Sequence, residues 1–114
     1  MNVFEYAAKE EKIFEANFQG ERQTTFYSDL SIAEFMGGFN AVKDTYRRIL
    51  KSWLSNVEYF SEFVVCLNFK CWEHHERKNQ TLCALYNDLY HEANHLAYQT
   101  YKDKDLEYYF NMVD

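Results

Sequence analysis

The chain contains no proline, and its three glycines stand at positions 20, 37 and 38. Helix breakers are thus confined to two places, and the rest of the chain is free to continue a helix once one has started. Long apolar runs are missing too. The longest, Phe63-Val64-Val65-Cys66-Leu67, is far short of the roughly 20 residues that cross a bilayer, so no membrane span is predicted. Met1-Asn2-Val3-Phe4-Glu5-Tyr6 has no basic region leading into an apolar core, which predicts no secretory export. Positive charge is scarce: twelve Lys and Arg against eighteen Asp and Glu leave a formal charge of −6. That balance disfavours a global nucleic-acid-binding surface, because phosphate attraction needs positive charge. The cysteines, Cys66, Cys71 and Cys83, form an odd set, which suits reduced thiols and a cytoplasmic location better than a disulfide framework.

What is present points to a folded helical domain. Apolar residues make up 47% of the 114 positions, enough for one core and no more, so residues 1–114 are read as a single domain. Scattered aromatics over 1–18 fit an N-terminal helix, loosely docked and ending near Gly20. Gly20 to Ser28 is polar and turn-like, though Thr24-Thr25-Phe26-Tyr27 leaves room for a short strand. Ser31-Ile32-Ala33-Glu34 then has the form of a capping box, in which the serine takes the Glu34 amide proton and the glutamate reaches back. A short helix is expected to start there and to break at Gly37-Gly38. A second runs from about Asn40 to Leu54 with Val42, Tyr46, Ile49, Leu50 and Trp53 on one face.

Ser55-Asn56-Val57-Glu58 repeats the capping pattern and opens a long helix with the stripe Phe60, Phe63, Val64, Leu67, Cys71, Trp72 and His75. Lys78-Asn79-Gln80 is a turn short enough to return the next helix antiparallel. That helix carries Leu82, Leu85, Tyr86, Leu89, Ala93, Leu96, Ala97 and Thr100 at helical spacing. After a loop at Lys102-Asp103-Lys104, Asp105 can cap a last short helix to Phe110. The expected class is therefore all-α, with four to five helices around a central antiparallel hairpin of about 56–77 and 81–101.

Residues 91–95 read His91-Glu92-Ala93-Asn94-His95, the H-E-x-x-H signature of zinc peptidases. Two imidazoles one turn apart can hold the metal while the glutamate activates a bound water. Direction argues against it. At roughly 100° per residue, His91 and His95 lie roughly 180° to 220° from the stripe centred on Leu89, Ala93 and Leu96. Both histidines should face away from the core, Glu107 beyond a short loop is the only obvious downstream carboxylate, and a solvated polar face accounts for the pattern. A second metal arrangement would bring Cys71, His75 and Cys83 together near the hairpin turn as a structural zinc site. Its alternative is a packed Cys71 with His75 at the core edge. Neither arrangement is expected to hold a cofactor, zinc being the one candidate, and no catalytic residue is assigned beyond Glu92 in the peptidase alternative.

Lys43, Arg47, Arg48 and Lys51 make a basic stripe, and with Ile32-Ala33-Glu34 and Gly37-Gly38 before them they have the outline of a helix-turn-helix. The buried position expected midway through the second helix falls on Lys43, with Val42 out of step. Asp44 can instead pair with Arg48, leaving a salt-bridged surface. Aromatics supply the other candidate surface: ten Tyr, ten Phe and two Trp are 19% of the chain, more than a small helical core readily hides. Tyr59, Phe69, Tyr90 and Tyr98 fall outside the apolar stripes and are the expected interface residues, for self-association or a protein partner.

Ser31-Ile32-Ala33-Glu34, Asn40 to Tyr46, Leu67-Asn68-Phe69-Lys70-Cys71-Trp72, Leu85 to Tyr90 and Leu106-Glu107-Tyr108-Tyr109-Phe110 carry a resemblance. Over about 28–114 the chain resembles small, acidic, uncharacterised helical proteins carried on mobile elements of gut bacteria. The resemblance implies a bacterial, cytoplasmic accessory factor acting by binding, and implies no activity, cofactor or catalytic residue. The expected function is accordingly a non-enzymatic protein–protein interaction, with the basic-stripe nucleic-acid module and the small zinc metallopeptidase as alternatives.

Overall fold

The computed structural model describes residues 23–101. Three helices make up that stretch: α1 (Gln23–Trp53), α2 (Val57–Glu76) and α3 (Gln80–Tyr101). The described chain is all-helical, with three elements where four to five were expected. The expected N-terminal helix over 1–18 and the short helix ending at Phe110 lie outside the described residues.

The break expected at Gly37-Gly38 is a reversal inside α1. Gly38 has φ 63° and ψ −136°, a conformation that a side chain resists. A Cβ on Gly37 would stand 2.8 Å from that of Ala41, so both glycines are needed for the chain to turn this closely. In a straight helix Phe26 and Trp53 would be about 40 Å apart at 1.5 Å per residue. Their ring centroids are 6.0 Å apart, so the second arm runs back along the first. The polar turn expected over Gly20 to Ser28 is corrected from Gln23 onward, since helix has begun there and Phe26, Tyr27 and Leu30 are buried. No strand forms at Thr24 to Tyr27.

α2 begins one residue later than the capping pattern suggested. Asn56, not Ser55, is the N-cap, its side-chain oxygen accepting the Tyr59 amide proton at 3.1 Å. At the far end the Arg77, Lys78 and Asn79 amides donate to the carbonyls of Glu73, His75 and His74. Lys78 takes the left-handed conformation, φ 59°, that glycine usually supplies at a helix C-terminus. Asn79 then caps α3 by accepting the Leu82 amide proton at 3.2 Å.

The two α1 arms, α2 and α3 close around one core. Val42, Tyr46 and Ile49 meet Phe60, Phe63, Val64 and Leu67, with Leu85, Tyr86, Leu89, Ala93 and Ala97 completing it. Phe63 touches both arms of α1, at 5.3 Å from Phe26 and 5.9 Å from Tyr46 between ring centroids. The arms therefore alternate in direction, up and down, around these rings. The α2 stripe departs from expectation at its C-terminal end: Trp72 and His75 are exposed, while Lys70 and His74 are buried. Among the described residues no helix is long and apolar enough to cross a membrane.

Candidate functional site

At the end of the bundle where α1 reverses and α2 turns into α3, the core becomes ionic. Glu34, from the first arm of α1, inserts between the other two helices. Its Oε1 lies 2.6 Å from His74 Nε2. Its Oε2 accepts the Tyr86 hydroxyl at 2.6 Å and pairs with Lys70 Nζ at 2.9 Å. Lys70 has no exposed surface; it also donates to Glu73 Oε2 at 3.1 Å and sits 4.2 Å from the Tyr27 ring centroid. The Tyr27 hydroxyl donates to Glu73 Oε1, and Arg77 reaches the same carboxylate at 3.4 Å. The His74 ring lies parallel to that of Tyr86, with centroids 5.6 Å apart.

Burial of this kind penalises charge, and each ion persists because it is matched. Desolvation alone would raise the Glu34 carboxyl; the His74 hydrogen bond, the Lys70 and His74 charges and the Tyr86 hydroxyl outweigh it and hold the group below its ordinary value of 4.5. Three donors within the protein occupy the two carboxylate oxygens of Glu34. The network's work is to tie the first arm of α1 to the α2–α3 hairpin. One atom is left over: His74 Nδ1 is buried without a hydrogen-bond partner.

Sequence reading assigned Glu34 to a capping box with Ser31. That assignment is corrected here: helix starts at Gln23, so the Glu34 amide already has a carbonyl four residues back. Ser31 is buried in mid-helix with its hydroxyl unpartnered. Lys70, Glu73 and His74 were not singled out. Their signal was the stripe Phe60, Phe63, Leu67, which continues at helical spacing into Lys70 and His74, a core face that turns polar and so requires partners.

The sequence candidates lie elsewhere. His91, Glu92 and His95 are exposed on α3, and Glu92 accepts the Tyr46 hydroxyl at 2.8 Å. Burial, and then Glu92, push the Tyr46 hydroxyl well above its ordinary range. Glu92 thus ties α3 to the second arm of α1. Among the described residues no group of three or more His, Cys, Asp or Glu is arranged to hold a metal, and Glu107 lies outside them. Cys71 and Cys83 do come together, with Sγ atoms 3.8 Å apart. His75 is exposed on the wall of the same cleft, its ring edge-on to Trp72 at 5.8 Å.

Arg47, Arg48 and Lys51 are exposed on the second arm of α1, whereas Lys43 is half-buried with its ammonium 5.5 Å from the Phe39 ring centroid. Asp44 pairs with Arg47 at 3.6 Å rather than with Arg48 as expected. The charge of Arg48 acts on Asp29, whose carboxyl is raised by burial and partly lowered again by that guanidinium. Of the four expected interface residues, Tyr59, Phe69 and Tyr90 are half-buried against the core, Tyr59 on Trp53 at 5.4 Å and Phe69 on Tyr27 at 5.6 Å. Tyr98 is exposed.

The exposed apolar surface that sequence reading missed is the reversal itself. Phe35, Met36 and Phe39 are 44%, 70% and 42% exposed, flanking Gly37 and Gly38. Beside them opens a cavity of about 320 Å³ lined by Glu34, Phe35, His74, Arg77, Asn79 and Leu82. Comparison with protein-family models, curated proteins and solved structures gives no match.

Proposed function

We propose that this chain is a binding protein that acts by contact with protein, in the first place with a second copy of itself, through the tip formed by Phe35, Met36 and Phe39. The observation that carries the reading is Met36, 70% exposed between two half-exposed phenylalanines. They lie at the reversal, next to Gly38 and to Glu34 with its network. Large apolar side chains exposed side by side favour association, because contact removes their surface from water. Burying the exposed parts of the three side chains contributes on the order of 3–5 kcal/mol. Part of that gain is offset by the lost translational and rotational freedom of the partners, so self-association is weak, reversible and dependent on concentration. Tyr98 and Trp72, also exposed, are additional contact area. The resemblance to accessory proteins of mobile elements and the odd set of three cysteines support a cytoplasmic binding role.

Sedimentation velocity from about 10 μM to about 1 mM tests this. Wild-type protein is expected to gain mass with concentration, and Met36→Glu with Phe39→Glu to remain monomeric with unchanged far-UV circular dichroism. A wild type that stays monomeric, or a double variant that associates equally, contradicts it. The exposure of Arg47, Arg48 and Lys51 keeps one competing reading, nucleic-acid binding. Its mark would be DNA retention that falls steeply with salt and disappears in Arg47→Ala with Arg48→Ala.

A further inference from the structure

Cys71 on α2 and Cys83 on α3 face each other beside the hairpin turn. Their sulfurs are 3.8 Å apart, and the Cys71 thiol also points at the Cys83 carbonyl oxygen at 3.5 Å. A disulfide needs about 2.05 Å between sulfurs, a closure within reach of side-chain rotation and a small approach of two helices that are already packed. The pair is accessible: both cysteines line an open cleft of about 450 Å³ shared with His74, His75, Lys78, Gln80, Ala84 and Asn87. Lys78 gives that cleft a cationic rim suited to an anionic small molecule. The third cysteine, Cys66, is fully buried and has no such access.

We infer that Cys71 and Cys83 are a reversible dithiol–disulfide site, oxidised by a small anionic disulfide such as oxidised glutathione. One cysteine thiolate attacks a sulfur of the small disulfide, forming a mixed disulfide and expelling one small thiolate. The second cysteine thiolate attacks the protein-bound sulfur of that mixed disulfide, closing the Cys71–Cys83 bond and expelling the second small thiolate. Two protein thiols are oxidised, one small disulfide is reduced to two thiols, and the two protons lost by the protein thiols end, through solvent, on the two expelled small thiolates. Burial, and then the contact with Cys83, push the Cys71 thiol up to about 11. Exchange is therefore slow at neutral pH and quickens as pH rises. Once closed, the bond pins α2 to α3 at the turn and constrains the unfolded chain.

Full-length folded protein incubated with oxidised glutathione at pH 7 and pH 9, then alkylated and weighed intact, tests the assignment. The expected product has lost the mass of two hydrogen atoms, keeps one thiol, at Cys66, forms faster at pH 9, and melts several degrees higher than the reduced form. Cys83→Ser is expected to stop at a glutathione adduct or an unmodified Cys71. Retention of all three thiols under these conditions, stable glutathione adducts on both cysteines, or a bond involving Cys66 overturns it.

Discussion

Glu34 is where a single residue carries most consequence. It takes three donors from two helices, and its carboxyl sits below its ordinary value of 4.5 because those donors outweigh desolvation. A carboxylate with a lowered pKa stabilises the fold above that ordinary value, and the contribution is lost as pH falls through the folded value. Glu34→Gln is therefore expected to cost about 3 kcal/mol at pH 7, the lower end for breaking a buried pair, since Lys70 keeps Glu73. The gap between wild type and variant in urea melts is expected to shrink as pH drops below 4.5. A gap that is constant or widens in acid would show that the carboxylate is not the source of the stability. None of this was readable from Ser31-Ile32-Ala33-Glu34, because the same four residues satisfy a capping box and a mid-helix position equally. The choice rests on where the helix begins, and the signal for an earlier start lay in Phe26, Tyr27 and Leu30, which stand at helical spacing before Ser31 and are buried.

At the scale of elements, apolar periodicity was the dependable guide. Val42, Tyr46 and Ile49, then Phe60, Phe63, Val64 and Leu67, then Tyr86, Leu89 and Ala93 were readable as faces and are buried, because each stripe is a local property of its own helix. The stripe of α2 was misread beyond Leu67, since pairing across three segments, not hydropathy, decides that Lys70 goes in and Trp72 stays out. The two left-handed positions give opposite predictions. Lys78 at φ 59° and Gly38 at φ 63°, ψ −136° are both places where a Cβ is strained, by about 1–2 kcal/mol at Lys78 and about 1–3 kcal/mol at Gly38. Gly38→Ala is expected to lower stability by that amount. Lys78→Gly is expected to raise it by up to about 1 kcal/mol, part of the relief being offset by the freer unfolded chain. Thermal melts of the two variants read both signs, and a neutral Gly38→Ala would remove the geometric reason for the reversal.

At the scale of the whole molecule, the aromatics among the described residues divide between the core and the surface. Phe26, Tyr27, Tyr46, Phe60, Phe63 and Tyr86 fill the core, Phe26 and Tyr27 joining it because α1 begins at Gln23 and not at Ser31. Phe35 and Phe39 remain outside at the end of the bundle, beside the ionic network. That placement depends on the geometry at Gly38, so the exposed surface could not be assigned from stripes alone. Hydrogen–deuterium exchange at low and high protein concentration tests most directly whether this tip is the contact surface. Protection that appears at high concentration over residues 35–43, and is absent from Met36→Glu with Phe39→Glu, is the predicted result. Exchange over 35–43 that is indifferent to concentration, with any new protection confined to the exposed face around Tyr98 or around Arg47 and Arg48, would contradict it.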